Sequence, residues 1–119
     1  MTGIAAYKEN AVTTQTKGKL IVLLYEGAIK FLKQAIAELE AEDFVEKGQY
    51  VNKAIEIIIE LSVSLNMEAG GEVADNLQQL YDFMMTHLTK ANFRRDVQGF
   101  RDVIGLLEEL NEGWKAVTA

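Results

Sequence analysis

The chain has 119 residues, 49% of them hydrophobic, with neither cysteine nor proline and a formal net charge of −6. That length suits one domain with a real core, and the missing thiols exclude disulfides, thiolate metal sites and cysteine nucleophiles. The acidic balance excludes a surface built to neutralise phosphates, so no nucleic-acid partner is expected.

Residues 1–15 read as an arm and not as a helix of the core, with Ile4, Tyr7 and Val12 set among Thr2, Gly3, Asn10, Thr13, Thr14 and Gln15. Residues 16–119 read as the helical domain. Thr14 or, better, Thr16 can accept the first free amide hydrogens of the helix that follows. Lys17 and Lys19 cannot replace the Glu or Gln of a full capping box.

The first helix is expected from about Lys17 to Glu40, roughly 35 Å at 1.5 Å per residue. Its stretch Leu20-Ile-Val-Leu-Leu-Tyr25 is apolar on every side, whereas a bundle helix needs one stripe of roughly 100°. Beyond it the spacing is ordinary, with Ala28, Phe31, Leu32, Ala35 and Leu39 inward and Lys30, Lys33, Gln34 and Glu38 outward. The surplus is therefore local, and is either buried by the chain itself or kept as a groove for a partner. The acidic run from Glu40 to Asp43 ends the helix.

A second helix is predicted from Asp43 or Phe44 to about Met67, tolerating Gly48 at about 1 kcal/mol relative to alanine. Its centre repeats the surplus: Ile55, Ile57, Ile58, Ile59, Leu61, Val63 and Leu65 are interrupted only by Glu56, Glu60, Ser62 and Ser64. Isoleucine is not a strong helix former, so packing must hold this segment helical. A strand is the alternative, but nothing offers a second strand to pair with it. Gly70-Gly71 marks a turn. The third helix is expected from about Glu72 to Ala91, with Val73, Leu77, Leu80, Tyr81, Met84 and Leu88 at helical spacing and Asn92 ending it. Glu72 and Asp75 suit its positive end. Asp96 can cap a fourth helix whose seam is Phe100, Val103, Leu107, Leu110 and Trp114.

Four long helices with short connections predict an all-α fold, an antiparallel up-and-down four-helix bundle with an N-terminal arm. One faint internal echo sets Leu24-Tyr25-Glu26 beside Leu80-Tyr81-Asp82, a pattern cheap to obtain by chance on amphipathic helices.

Catalytic chemistry finds little to work with. The single histidine, His87, has Met84 where a Glu-x-x-His iron site needs glutamate. No serine stands in a nucleophile elbow, and the inward positions are nearly all apolar. His87 reads as a partly exposed helix residue; no catalytic residue, metal or cofactor is expected. No apolar run reaches the roughly 18 residues of a membrane span, and the start lacks the layout of a signal peptide. A cytoplasmic protein without membrane insertion is the expectation.

Tyr7, Val12, Thr14, Thr16, Leu20-Ile21, Leu24-Tyr25, Gly27 and Ala28 together resemble the opening of the bacterial flagellin export chaperones, the flagellar secretion chaperone family. Leu61, Leu65, Asn66, Gly70-Gly71, Leu77, Leu80-Tyr81, Leu88, Ala91-Asn92, Leu107, Leu110 and Trp114 continue the resemblance over nearly the whole chain. Where many members carry Ser-Pro at the start of the first helix, this chain has Thr16-Lys17 and then Gly18, which bears on the helix start and not on the activity.

The resemblance implies a cytosolic four-helix chaperone. It would bind the disordered C-terminal region of flagellin, prevent premature polymerisation and support delivery to the flagellar type III export apparatus. Other flagellar regulators enter as partners only by family-level analogy. A segment that folds on binding enters helix-sized grooves, and the surplus apolar residues Leu20, Ile21, Leu24, Tyr25, Ala28, Ile55, Ile58, Leu61 and Leu65 are the candidate flagellin groove. Ile4, Tyr7 and Val12 are the candidate N-terminal lid over it. The alternative is a helical adaptor or dimerising regulatory module without flagellin binding, which would concentrate its surplus on one self-complementary face.

Overall fold

The computed structural model describes residues 17–65 and 67–118. The arm, with Ile4, Tyr7, Val12 and both capping threonines, lies outside the described residues. Four helices follow one another: α1 (Lys17–Glu40), α2 (Phe44–Val63), α3 (Met67–Arg94) and α4 (Val97–Thr118). Each packs on the next and α4 returns to α1. Short connections make neighbours antiparallel, so the fold is the expected up-and-down bundle.

The core is built from steps of three and four residues on every helix. Tyr25, Ala28, Leu32, Ala35 and Leu39 on α1 share their spacing with Tyr81, Met84, Leu88 and Ala91 on α3, and all are buried. Val51, Ala54, Ile58 and Leu61 on α2 repeat in the same way as Ile104, Leu107, Asn111 and Trp114 on α4. Tyr25 and Tyr81, the tyrosines of the faint echo in the sequence, both fall at buried positions of this pattern.

Both hairpins turn by one device. Glu42 and Arg95 adopt positive φ, 61° and 56°. In each case the amide before the next helix reaches back five residues, Asp43 to the Glu38 carbonyl and Asp96 to that of Ala91, both at 2.9 Å. This closes the spent helix with a left-handed cap. Each aspartate then caps the next helix, the Asp43 carboxylate accepting from the Glu46 amide and that of Asp96 from the Gln98 amide, both at 3.1 Å. Between the turns, the Lys47 ammonium donates to the Asn92 carbonyl at 3.0 Å and its Oδ1 at 2.6 Å. A cation thus sits on the negative end of α3. Burial, and then Arg95 nearby, lower the Lys47 pKa. The Arg95 guanidinium lies 3.6 Å over the Phe44 ring, joining the two turns directly.

Three boundaries depart from expectation, the first being the start of the third helix, which lies at Met67 and not near Glu72 because the helix spans the break at Gly71. The second helix ends at Val63 and not near Met67, because the Ser64 hydroxyl donates to the Leu61 carbonyl at 2.9 Å and the chain leaves through a turn. The third helix does not end at Asn92 but runs to Arg94, using Asn92 as an acceptor within its last turn. The glycine break stands where expected: Gly71 has φ 53° and ψ −129°, a conformation open essentially to glycine alone.

Glycine also sets how closely α3 and α4 approach. A Cβ at Gly99 would stand 2.5 Å from that of Ala91, whereas one at Gly105 would meet nothing within 4 Å. Gly99→Ala should therefore cost about 1–3 kcal/mol, while Gly105→Ala should stabilise by up to about 1 kcal/mol. Urea unfolding midpoints check both, and equal effects would mean that the hairpin is looser than its geometry.

Candidate functional site

The surplus apolar residues divide into two sets. Leu24, Tyr25, Ala28, Ile58 and Leu61 are buried in the bundle core, whereas Leu20, Ile21, Ile55 and Leu65 are partly exposed and pack on its edge. Tight packing of α1 on α2 explains part of this sorting: a Cβ at Gly27 would lie only 3.2 Å from Ile57 Cδ1. The partly exposed set is accordingly what a partner could reach, over a floor supplied by the buried set.

At the end of the bundle away from the two hairpin turns, Ile21, Leu61 and Leu65 come together. With Ser64, Tyr81 and Trp114 they line an apolar pocket of about 160 Å³. All four helices or their ends contribute to it. Ile55 lies farther along α2 and does not line this pocket. Ser64, Tyr81 and Trp114 are absent from the groove expected from sequence. For Tyr81 and Trp114 the signal existed, as the second Leu-Tyr pair and the last residue of the α4 seam, but it read as core.

Behind the pocket lies a buried polar pair. The hydroxyls of Tyr25 and Tyr81 are 2.7 Å apart, and the Tyr25 ring packs obliquely on Tyr81 and Trp114 with centroids 6.5 and 6.4 Å away. Burial raises the pKa of Tyr25, an effect partly offset by hydrogen bonding to Tyr81 and Trp114. Tyr81 is raised further by burial and then by Tyr25 itself. At pH 7 both stay protonated, so the pair fixes geometry and transfers no proton. Ser62 donates to Gln78 at 2.8 Å and Gln78 to Asp82 at 3.0 Å, tying α2 to α3 alongside.

His87 lies elsewhere, half-buried on α3, with Nε2 3.1 Å from Asp102 and its ring against Phe83. Hydrogen bonds from Gln98 and then His87 lower the Asp102 pKa. Among the described residues no group of three or more His, Asp or Glu could hold a metal ion. No helix there is long and apolar enough to cross a membrane.

The family model described as Flagellar protein FliS matches residues 1–119. A flagellar secretion chaperone FliS of Salmonella typhimurium is 42% identical, covering 98% of this chain and 90% of the relative. That of Vibrio cholerae is 38% identical over 96% and 87%. That of Bacillus subtilis is 34% identical over 92% and 81%. Each of these relatives is named as a chaperone and none as an enzyme.

The tyrosine pair makes alkaline stability a test of the site. Both phenols have folded pKa values above the ordinary 10.0, so their contribution is complete below that pH and is lost as pH rises above it. Lys47, whose pKa is lowered from 10.5, acts in the opposite sense just below that value. A double Tyr25→Phe, Tyr81→Phe variant removes the phenol term alone and should be nearly neutral at pH 7. Above about pH 10 its urea midpoint should fall less than that of the parent protein; parallel curves would separate the pair from alkaline unfolding.

Proposed function

The chain belongs to the flagellar protein FliS family, and from that premise we propose that it is a cytosolic flagellar secretion chaperone for flagellin. In this reading it binds the disordered C-terminal region of flagellin. It thereby prevents premature polymerisation until the flagellar type III export apparatus receives the chain. The observation that carries the reading is the 42% identity over 98% of the chain to a relative named flagellar secretion chaperone FliS. The apolar pocket between Ile21, Leu65 and Trp114 supports it, because a segment folding on binding needs apolar sockets for a few side chains of each helical turn. Binding without turnover is the whole chemistry, since covering an assembly segment is enough to stop assembly.

The arm residues Ile4, Tyr7 and Val12 are proposed to cover the apolar groove before flagellin arrives. Burying each would contribute roughly 1.5–3 kcal/mol, against about 1–2 kcal/mol for each backbone residue ordered. Such a lid is marginal by design and easily displaced.

A flagellin C-terminal peptide should gain helix on mixing and bind one to one, seen by circular dichroism and calorimetry; additive spectra with no heat would end the chaperone reading. Ile21→Asp, at the partly exposed rim, should keep the fold and weaken capture at least tenfold. Leu107→Asp and Leu24→Asp bury an unpaired carboxylate and should unfold the bundle. For the lid, Tyr7→Ala should leave flagellin affinity level or modestly raised, whereas a tenfold loss in a folded variant would assign Tyr7 to direct contact.

A further inference from the structure

The outer side of α3 carries a stripe that no other helix covers. Glu72, Asn76, Gln79, Phe83, Lys90 and Arg94 follow one another at spacings of three, four and seven residues, and all are exposed. At about 100° per residue they share an arc of roughly 60°. That arc faces away from Leu77, Tyr81, Met84 and Leu88, which are buried. Gly71 is the one non-helical residue within α3, so the stripe follows a single regular stretch beyond that break.

Its order is symmetric about Phe83. Glu72 stands eleven residues before that ring and Arg94 eleven after; Asn76 stands seven before and Lys90 seven after. Phe83 is 47% exposed, an aromatic ring where the outward side of a bundle helix calls for a polar group. Among the described residues no ion pair engages Glu72, Lys90 or Arg94. The helix dipole favours an acid at the start of α3 and a base at its end, but it gives no account of an aromatic ring midway between them.

We propose that this stripe is the contact surface of a two-fold dimer, in which the α3 helices of two copies lie antiparallel with Phe83 against the partner's Phe83. A two-fold axis beside that ring sets Arg94 of each copy opposite Glu72 of the other, and Lys90 opposite Asn76, with Asp75 one residue away. The unpaired charges at both ends are matched and the ring between them is covered. A parallel pair would set Arg94 on Arg94 and Glu72 on Glu72. An anionic surface would attract one end of the stripe and repel the other, whereas a second copy turned end for end answers both. The ends lie roughly 33 Å apart, so the contact is a single helix pair, of the small size that gives weak and reversible association. None of the six residues lines the apolar pocket, and the dimer stands or falls apart from the export reading.

Sedimentation equilibrium of the whole chain at rising concentration tests this. A reversible monomer–dimer equilibrium is expected, weakening as salt rises. Arg94→Glu places like charges together twice in a two-fold contact and should weaken dimerisation at least tenfold. Glu72→Arg should do the same. The double variant Glu72→Arg, Arg94→Glu restores both pairs in reverse and should return to within about threefold of the parent. Phe83→Ser should also lose at least tenfold. All three positions are exposed, so helix content should match the parent in every variant. A protein that stays monomeric at every concentration, a dimer indifferent to Arg94→Glu and Phe83→Ser, or a double variant as weak as the single ones would overturn the proposal. A monomeric parent whose capture of a flagellin peptide falls tenfold in Phe83→Ser would assign the stripe to the client and overturn the dimer.

Discussion

The hydroxyl pair between Tyr25 and Tyr81 is the constraint on which the bundle's geometry turns. The two residues stand on α1 and α3, helices that face each other across the bundle and are not neighbours in its ring. Two phenols laid tip to tip span that diagonal. Each buried hydroxyl left alone would cost about 1–3 kcal/mol, so a slip of either helix along its axis is penalised twice. The Tyr25 ring also carries Trp114 of α4, and Tyr81 lines the pocket that Leu61 and Leu65 reach from α2. One polar contact in a largely apolar interior thereby relates all four helices and shapes the floor of the proposed binding site.

Much of this was legible in the sequence. Periodicity placed α1 at its observed limits, found most of the core positions of α1, α3 and α4 and put Asp96 at the cap of α4, because each signal is local and repeats every turn. What stayed hidden depended on neighbours distant in the chain. Lys47 stands at an inward position of α2 and would read as a flaw in the seam until the end of α3 is brought beside it. Asn92 looked like a stop signal because its second use, accepting from Lys47, has no local signature. The surplus of α1 showed clearly, but its division between Leu24 and Ile21 did not. Six apolar residues in succession say that every side is greasy and not which side the other helices cover.

That division matters for how such a protein can bind an unfolded client and remain folded itself. Leu24, Tyr25, Ile58 and Leu61 hold the core, while Leu20, Ile21, Ile55 and Leu65 stand at its edge on the same helices. The proposed binding surface is thus continuous with the packed interior. A client side chain entering the pocket meets atoms already fixed by packing, so less ordering remains to be done on the protein's side.

The two ends of the bundle are held in different ways, and this makes the molecule a clip. At one end the left-handed caps, both aspartates, Lys47 on Asn92 and Arg95 on Phe44 bind the hairpins to each other through polar contacts that tolerate little change in angle. At the other end the helices meet through apolar packing with the Tyr25–Tyr81 and Ser62–Gln78 hydrogen bonds among it, and the path from α2 into α3 bends at Gly71. That end holds Ile21, Leu65 and Trp114, so the socket stands opposite the clasp, and a side chain entering it leaves the polar contacts between the hairpins untouched.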